Sequence, residues 1–287
     1  MDMLTTIRDM QAWSDARRAE GKRIGLVPTM GALHEGHLSL VERASRTCDV
    51  VVASVFVNPT QFAPNEDFAR YPRQLEDDRR LLETRGTTAL FVPATGEMYP
   101  PEFLTKVEVG GLAEVLEGRT RPTHFGGVTL VVAKLFLAVK PHVAVFGRKD
   151  AQQALVIRRM VRDLNFDIEI DVAPTVREPD GLAMSSRNRY LSSEERSAAL
   201  ALSRALRVGY DAWRDGERKA AVLVEVMRRV LDEEPMVRLD YLSVASMETL
   251  RPRDDVGPGT LVAAAAWVGP TRLIDNWWIT PDGRAEF

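Results

Sequence analysis

Residues 26–40 read LVPTMGALHEGHLSL. An apolar run closes at Pro28, Gly31 opens a turn, and Gly36 starts a stretch with helical periodicity. Strand, glycine turn and helix make up the unit from which parallel sheets are built. The N-terminus of the following helix offers unpaired backbone N–H groups and the positive end of the helix dipole, and the glycines admit an anion close to the backbone. His34 and His37, three apart, share one helix face and can reach the same ligand. The segment reads as a nucleotide-phosphate site. A packed or metal-binding histidine pair is the alternative, and zinc would need further ligands. Cys48, His124 and His142 supply none at ligand spacing. Neither G-x-x-x-x-G-K-[ST] nor G-x-G-x-x-G occurs, so a nucleotide here is gripped in another way.

Outward from this segment, apolar strands are expected at 23–28, 50–57, 88–93, 142–146 and 166–172. Helical patterns near 4–20, 36–47, 73–85, 126–139 and 150–163 alternate with them. Such alternation implies an α/β fold: a Rossmann-like doubly wound parallel sheet covered on both faces, with ligands beyond the carboxyl ends of its strands. The alternation stops near Pro174. Helices are expected at about 193–215, with a Ser192/Glu195 capping box and a stop at Gly216, and at 218–232. Strands at 237–245, 260–267 and 272–279 follow, the run Ala263–Ala266 reading as a tightly packed strand. Helices then strands imply a smaller C-terminal α+β domain. The expected division is 1–174 and 175–287.

With 287 residues there is room for two domains. A net charge of −3 gives no basic face for nucleic acid. One cysteine rules out an internal disulfide framework. No apolar run of about 18 residues occurs and the N-terminus lacks a signal-peptide core, so a cytoplasmic protein without membrane attachment is expected.

Three further motifs carry polar chemistry. NPTQF (58–62) leaves a strand end with the amides of Asn58 and Gln61, suited to a hydroxylated or carboxylated small molecule, or simply to an Asn-Pro turn. FGRKDAQQ (146–153) presents Gly147 at a strand end and Lys149 as a mobile charge able to follow phosphate. In it Asp150 could be only an N-cap, and Gln152 and Gln153 only solvated. MSSRNR (184–189) combines two hydroxyls with arginine, a compact anion receptor. HEGH with MSSR resembles the HxGH and KMSKS-type pair of class I aminoacyl-tRNA synthetases and related nucleotidyl transferases.

The strings PTMGALHEGHLSL, VFVNPTQF, RYPR (70–73), RPTHFGGV (121–128), VAVFGRKDAQQ, VREPDGLAMSSRNRYLS and TRLIDN (271–276) together resemble the pantoate–β-alanine ligase family, in that family's order. The resemblance implies ATP-dependent joining of pantoate to β-alanine through a pantoyl-adenylate, releasing AMP and pyrophosphate. It implies catalytic roles for His37, His34, Lys149 and Arg187. Met30, Gly31, His34, Gly36, His37, Gly147, Arg148, Lys149, Asp150, Val176, Met184, Ser185, Ser186 and Arg187 would line ATP. Gln61, Gln153 and Asn58 would hold pantoate, Gln61 also β-alanine, with Arg121 and His124 nearby. Mg²⁺ is expected with the triphosphate, Asp77 or Asp78 being candidate ligands against a solvated helix face as the alternative. A homodimer through the first domain, closure by the MSSR loop and a flap over 62–73 are also implied. The family often has Glu where Arg148 stands and an aromatic where Ala151 stands.

Overall fold

The computed structural model describes residues 1–64 and 66–287. Asn65, inside the expected flap, lies outside the described residues. Two compact units emerge: Met1–Gly147 with Gln152–Ala173, and Arg148–Ala151 with Pro174–Phe287. Against the expected division this differs at 148–151, which group with the second unit. The cause is local: the Asn276 amide donates to the carbonyls of Arg148 (3.0 Å) and Lys149 (2.9 Å).

The first unit runs β1 (Asp2–Leu4), α1 (Ile7–Ala19), β2 (Ile24–Thr29), α2 (Glu35–Ser45), β3 (Val50–Val55), α3 (Leu75–Glu83), β4 (Ala89–Phe91), α4 (Thr95–Met98), α5 (Glu117–Thr120), α6 (His124–Val139), β5 (Val143–Gly147), α7 (Ala151–Asp163) and β6 (Glu169–Ala173). Six strands form one sheet in the order β1-β4-β3-β2-β5-β6, every pair parallel. Strand alternation sends Leu26, Val52 and Ala144 to one face, where Met10 of α1, α6, and Ile157 and Met160 of α7 cover them. Val27, Val51, Ala53 and Val145 face the other way, onto α2 and Leu82 of α3. Each such side chain contributes roughly 1.5–3 kcal/mol by leaving water. The sheet is therefore doubly wound, as expected. Chain order reverses between β2 and β5, and their carboxyl ends mark the crevice where this fold binds ligands. β1 falls outside the expected strands, its last residue in the helical pattern expected near 4–20; three residues at a sheet edge are too few to show a period.

The second unit contains α8 (Ser193–Arg214), α9 (Ala220–Asp232), β7 (Val237–Ser246), β8 (Thr260–Val268), β9 (Thr271–Ile279) and β10 (Ala285–Glu286). The strands form an antiparallel sheet, β10-β9-β8-β7. Ser192 and Glu195 form the expected capping box. Ala264 and Ala266 of β8 face Ala198, Ala201 and Ala205 of α8 in the core. Small side chains on both surfaces let helix and sheet approach closely.

Candidate active site

The loop leaving β2 is built around its backbone. Gly31 has φ +81° and Ala32 φ 53°, both left-handed, and a Cβ on Gly31 would lie 2.8 Å from the Asp78 carboxylate. That carboxylate accepts the N–H of Ala32 at 2.9 Å and of Leu33 at 2.8 Å. Thr29 Oγ1 donates to the Ser54 carbonyl (2.7 Å) and accepts the Gly31 N–H (3.2 Å). The turn is thus tied to β3 and α3 before the histidines begin.

His34 is the N-cap of α2. Its Nδ1 accepts the Gly36 N–H at 3.2 Å, and His37 Nδ1 accepts the His34 N–H at 3.4 Å. This reciprocal cap is a capping box made of two imidazoles. Since each Nδ1 accepts, each ring's remaining N–H lies on Nε2. The rings sit 4.1 Å apart between centroids. Two ring donors side by side, tilted 38° to each other at the positive end of an eleven-residue helix, suit an anion with several oxygens.

Beside this loop, Gln61 Nε2 reaches Met30 Sδ at 3.1 Å, joining the NPTQF turn to the PTMG turn. Asn58 is buried, and both ends of its amide are used within the protein. Nδ2 donates to Gln61 Oε1 and to the Gly127 carbonyl, each at 3.0 Å. Oδ1 accepts from the Tyr99 hydroxyl (2.9 Å) and the Thr60 hydroxyl (3.0 Å). The main chain of Gln61 is held too: its carbonyl meets His124 Nδ1 at 2.9 Å and Arg121 at 3.3 Å. Arg121 in turn pairs with Glu66, one contact being 2.7 Å. Burial, with the Arg121 cation next, pushes His124 down to about 4, so the imidazole is neutral and donates through Nδ1. A Cβ on Gly127 would come within 2.4 Å of the Thr60 carbonyl, so α6 can approach this turn only with glycine there. Asn58, Arg121, His124 and Gly127 therefore converge on Gln61.

In α7, Gln152 is buried, not solvated. It donates to the carbonyls of Leu112 and Val115, both at 2.8 Å, and accepts the Glu117 N–H at 3.0 Å. Gln153, the next residue, is half-buried on the first turn. Phe62 packs edge-on against Phe68 and Tyr71, centroids 5.4 and 6.0 Å away.

In the second unit, Arg148 is 1% exposed and donates to Glu286 Oε2 at 2.8 Å. At the Arg148 departure the guanidinium is thus turned inward, paired with a Glu286 carboxylate that stays partly exposed. Lys149 follows, its ammonium 3.9 Å from the Asp150 carboxylate. The Val176 carbonyl accepts the Met184 N–H at 2.9 Å. Ser185 caps a short turn, its Oγ accepting the Arg187 N–H at 3.3 Å, and Ser186–Tyr190 form a 3₁₀ helix. Asn188 donates to Glu178 and to the Ala183 carbonyl, fixing the loop's far end.

Asp78 had been grouped with Asp77 as a solvated or metal-binding acid. It is buried, and its oxygens are committed to two N–H groups. Asp77 is exposed, 3.9 Å from Arg80. Among the described residues no three His, Cys, Asp or Glu side chains gather as a metal site. A signal for Asp78 existed: it shares the stripe of Leu75 and Leu82, and an acid on an apolar stripe is buried against donors.

A doubly wound parallel sheet whose β2 carboxyl end feeds a histidine-capped H-x-G-H helix defines the class: a Rossmann-like α/β protein with a small antiparallel C-terminal unit. The family model for pantoate-beta-alanine ligase matches residues 2–278, and the chain belongs to that family. A pantothenate synthetase from Moorella thermoacetica is 56% identical over 276 residues, 96% of this chain and 98% of its own length. One from Thermotoga petrophila is 54% identical over 276 residues, 96% of this chain and 99% of its own length. The crystal structure of pantothenate synthetase from Thermus thermophilus matches with TM-score 0.92 and 48% identity, covering 98% of this chain and all of that one. A Francisella tularensis pantoate-beta-alanine ligase, complexed with beta-gamma ATP and beta-alanine, matches with TM-score 0.77 and 33% identity over 97% of each chain.

Proposed function

We propose that this chain joins pantoate to β-alanine, converting ATP to AMP and pyrophosphate through a pantoyl-adenylate. The observation that carries the reading is the pair of imidazole donors at the start of α2, in a chain whose family match spans both units. The beta-gamma ATP and beta-alanine of the Francisella complex support ATP and β-alanine as ligands here.

A carboxylate oxygen of pantoate attacks the α-phosphorus of ATP, and the bond to pyrophosphate breaks. Charge gathers on the α-phosphoryl and bridging oxygens. His34 and His37 meet it through Nε2–H, Lys149 and Arg187 as cations. Met30, Gly31, Gly36, Gly147, Asp150, Val176, Met184, Ser185 and Ser186 complete the ATP contacts. Arg148 contributes main chain only, its cation being spent on Glu286. Removing a sole donor of this kind costs roughly 3–4 kcal/mol, about 10²–10³ in rate, and removing one of several that share the charge costs less. The free amine of β-alanine then attacks the acyl carbon, AMP departs, and the amine loses its proton. Gln61 and Gln153 hold pantoate, and Gln61 also contacts β-alanine. Asn58 acts through Gln61, because its amide has no group left for substrate. The adenylate is open to hydrolysis, so the site must exclude water while the amine attacks.

Mg²⁺ enters as the counter-ion of ATP. Exposed Asp77 of α3 would be the candidate carboxylate to hold it, and the ion would offset triphosphate charge. The same reading makes the protein a cytoplasmic homodimer built on the first unit.

AMP release measured with ATP, pantoate and β-alanine, each omitted in turn, tests the proposal. Adenylate formation without β-alanine and full turnover only with all three are expected. AMP release independent of pantoate overturns it.

A further inference from the structure

The turn that presents Lys149 is held by the last residues of the described chain. Arg148 is fully buried, and a buried guanidinium without a counter-charge is strongly unfavourable. Its directly bonded counter-charge is Glu286 on β10, opposite Trp278 of β9 in the strand register, with Asp275 attracting it more weakly. Glu286 Oε2 accepts both Arg148 Nη1 and Trp278 Nε1 at 2.8 Å. The Arg148 guanidinium also lies over the Trp278 ring, 5.7 Å from its centroid. Phe287 fastens the tail further: Arg207 sits 3.7 Å and Arg177 4.4 Å from its ring centroid. Arg177 pairs with Asp275 through contacts of 2.7 and 3.0 Å, next to the Asn276 that holds the carbonyls of Arg148 and Lys149. The family match ends at residue 278, so Glu286 and Phe287 lie beyond it.

We propose that Glu286 is a positioning residue for Lys149: by neutralising buried Arg148 it fixes the 148–150 turn and so the place from which the ammonium meets the triphosphate. This rests on the reading of Lys149 as a phosphate contact. Without Glu286 the guanidinium must move toward water, and the turn moves with it. Asn276 then holds carbonyls of a segment pulled the other way.

The experiment uses full-length Glu286→Ala, Glu286→Gln, Lys149→Ala, Lys149→Ala/Glu286→Ala and Arg148→Met/Glu286→Leu, with KM for each substrate, kcat and thermal midpoint. Glu286→Ala is expected to raise the ATP KM about tenfold and leave the β-alanine KM within about twofold, as loss of one phosphate contact does. Glu286→Gln keeps an acceptor but not the charge, and gives about a threefold rise. The Met/Leu pair removes both charges and returns the ATP KM to within about threefold of the parent. In the Lys149→Ala background, Glu286→Ala adds less than about twofold, because the two act through one contact. An unchanged ATP KM in Glu286→Ala, or losses spread equally over all substrates and following the thermal midpoint, overturns the latch. If Glu286→Ala fails to fold, Glu286→Gln decides by the same criteria. Parent-like kinetics for Lys149→Ala remove the phosphate role of Lys149 itself, and the latch with it. An impaired Lys149→Ala beside an unimpaired Glu286→Ala removes only the latch.

Discussion

The loop before α2 and the turn after β5 carry groups proposed above as phosphate contacts, and they are held in opposite ways. In the loop, backbone donors are saturated by an acid: Asp78 takes the N–H groups of Ala32 and Leu33. In the turn, backbone acceptors are saturated by an amide: Asn276 gives both of its contacts to the carbonyls of Arg148 and Lys149. The loop leads into a helix start whose His34 and Gly36 N–H groups are taken by the two imidazoles, which sets the placing of both rings. The turn delivers one flexible cation. An anion site made of fixed dipoles demands a rigid frame, whereas a lysine's stem absorbs small shifts of the turn that carries it and fails only for larger ones.

The largest effect should therefore come from the frame of the loop. Asp78→Ala strands two buried N–H groups, each worth about 1–3 kcal/mol when left unpaired. A displacement of about 1 Å at a reacting centre can cost about 10²-fold in rate. Asp78→Ala should lower stability in urea by about 3 kcal/mol and adenylation by about 10²-fold. Asn276→Ala should cost only about tenfold, since carbonyls tolerate a lost partner better than N–H groups do. Rates and urea midpoints of the two variants settle the ranking, and an Asn276→Ala defect as large as that of Asp78→Ala breaks it. Next comes His37→Ala, expected to slow adenylation at least about tenfold with little change in folding. Full turnover in that variant removes the donor role.

The same contrast explains what could be read in the chain beforehand. LVPTMGALHEGH announces its own geometry: an apolar strand, a glycine at positive φ and a helix start lie within one stretch. Strands such as 50–55 and 143–147, buried on both faces, advertise themselves as continuous apolar runs. The supports come from far away. Asp78 lies 46 residues from Ala32 and Glu286 lies 138 from Arg148, and no local period links such partners. Gln152 seemed free to be solvated because its partners are backbone carbonyls at 112 and 115, which no side-chain pattern reveals. β10 went unread for a related reason: two residues become a strand only when β9 lies beside them.

A smaller effect separates the pocket around Gln61 from the phosphate loop. Gln61→Ala removes an amide braced by Asn58 but leaves the backbone contacts from His124 and Arg121 in place. It should raise the pantoate KM by roughly tenfold and the ATP KM by less, the magnitude of a lost substrate hydrogen bond. The reverse order would place Gln61 with the nucleotide instead.

The smallest effect at neutral pH, and the most specific, concerns acid. All four histidines lie in the first unit. Folded His124 stays neutral down to about pH 4, while the unfolded imidazole takes up its proton near 6.5. Between those values the unfolded chain binds more protons, so this stabilisation is complete above pH 6.5 and fades as pH falls toward 4. It amounts to at most about 3 kcal/mol. Burial lowers His142 as well, which steepens the same slope. Glu66, whose burial is outweighed by Arg121, is held below its ordinary 4.5, so its contribution is lost only at lower pH. His124→Gln can still donate to the Gln61 carbonyl and has no proton to gain. Its stability in urea, followed from pH 7 to 4.5, should fall less steeply than that of the parent while matching it at pH 7. Two parallel curves would mean that the imidazole is solvated in the folded protein, and that Gln61 is held by Arg121 and Asn58 without it.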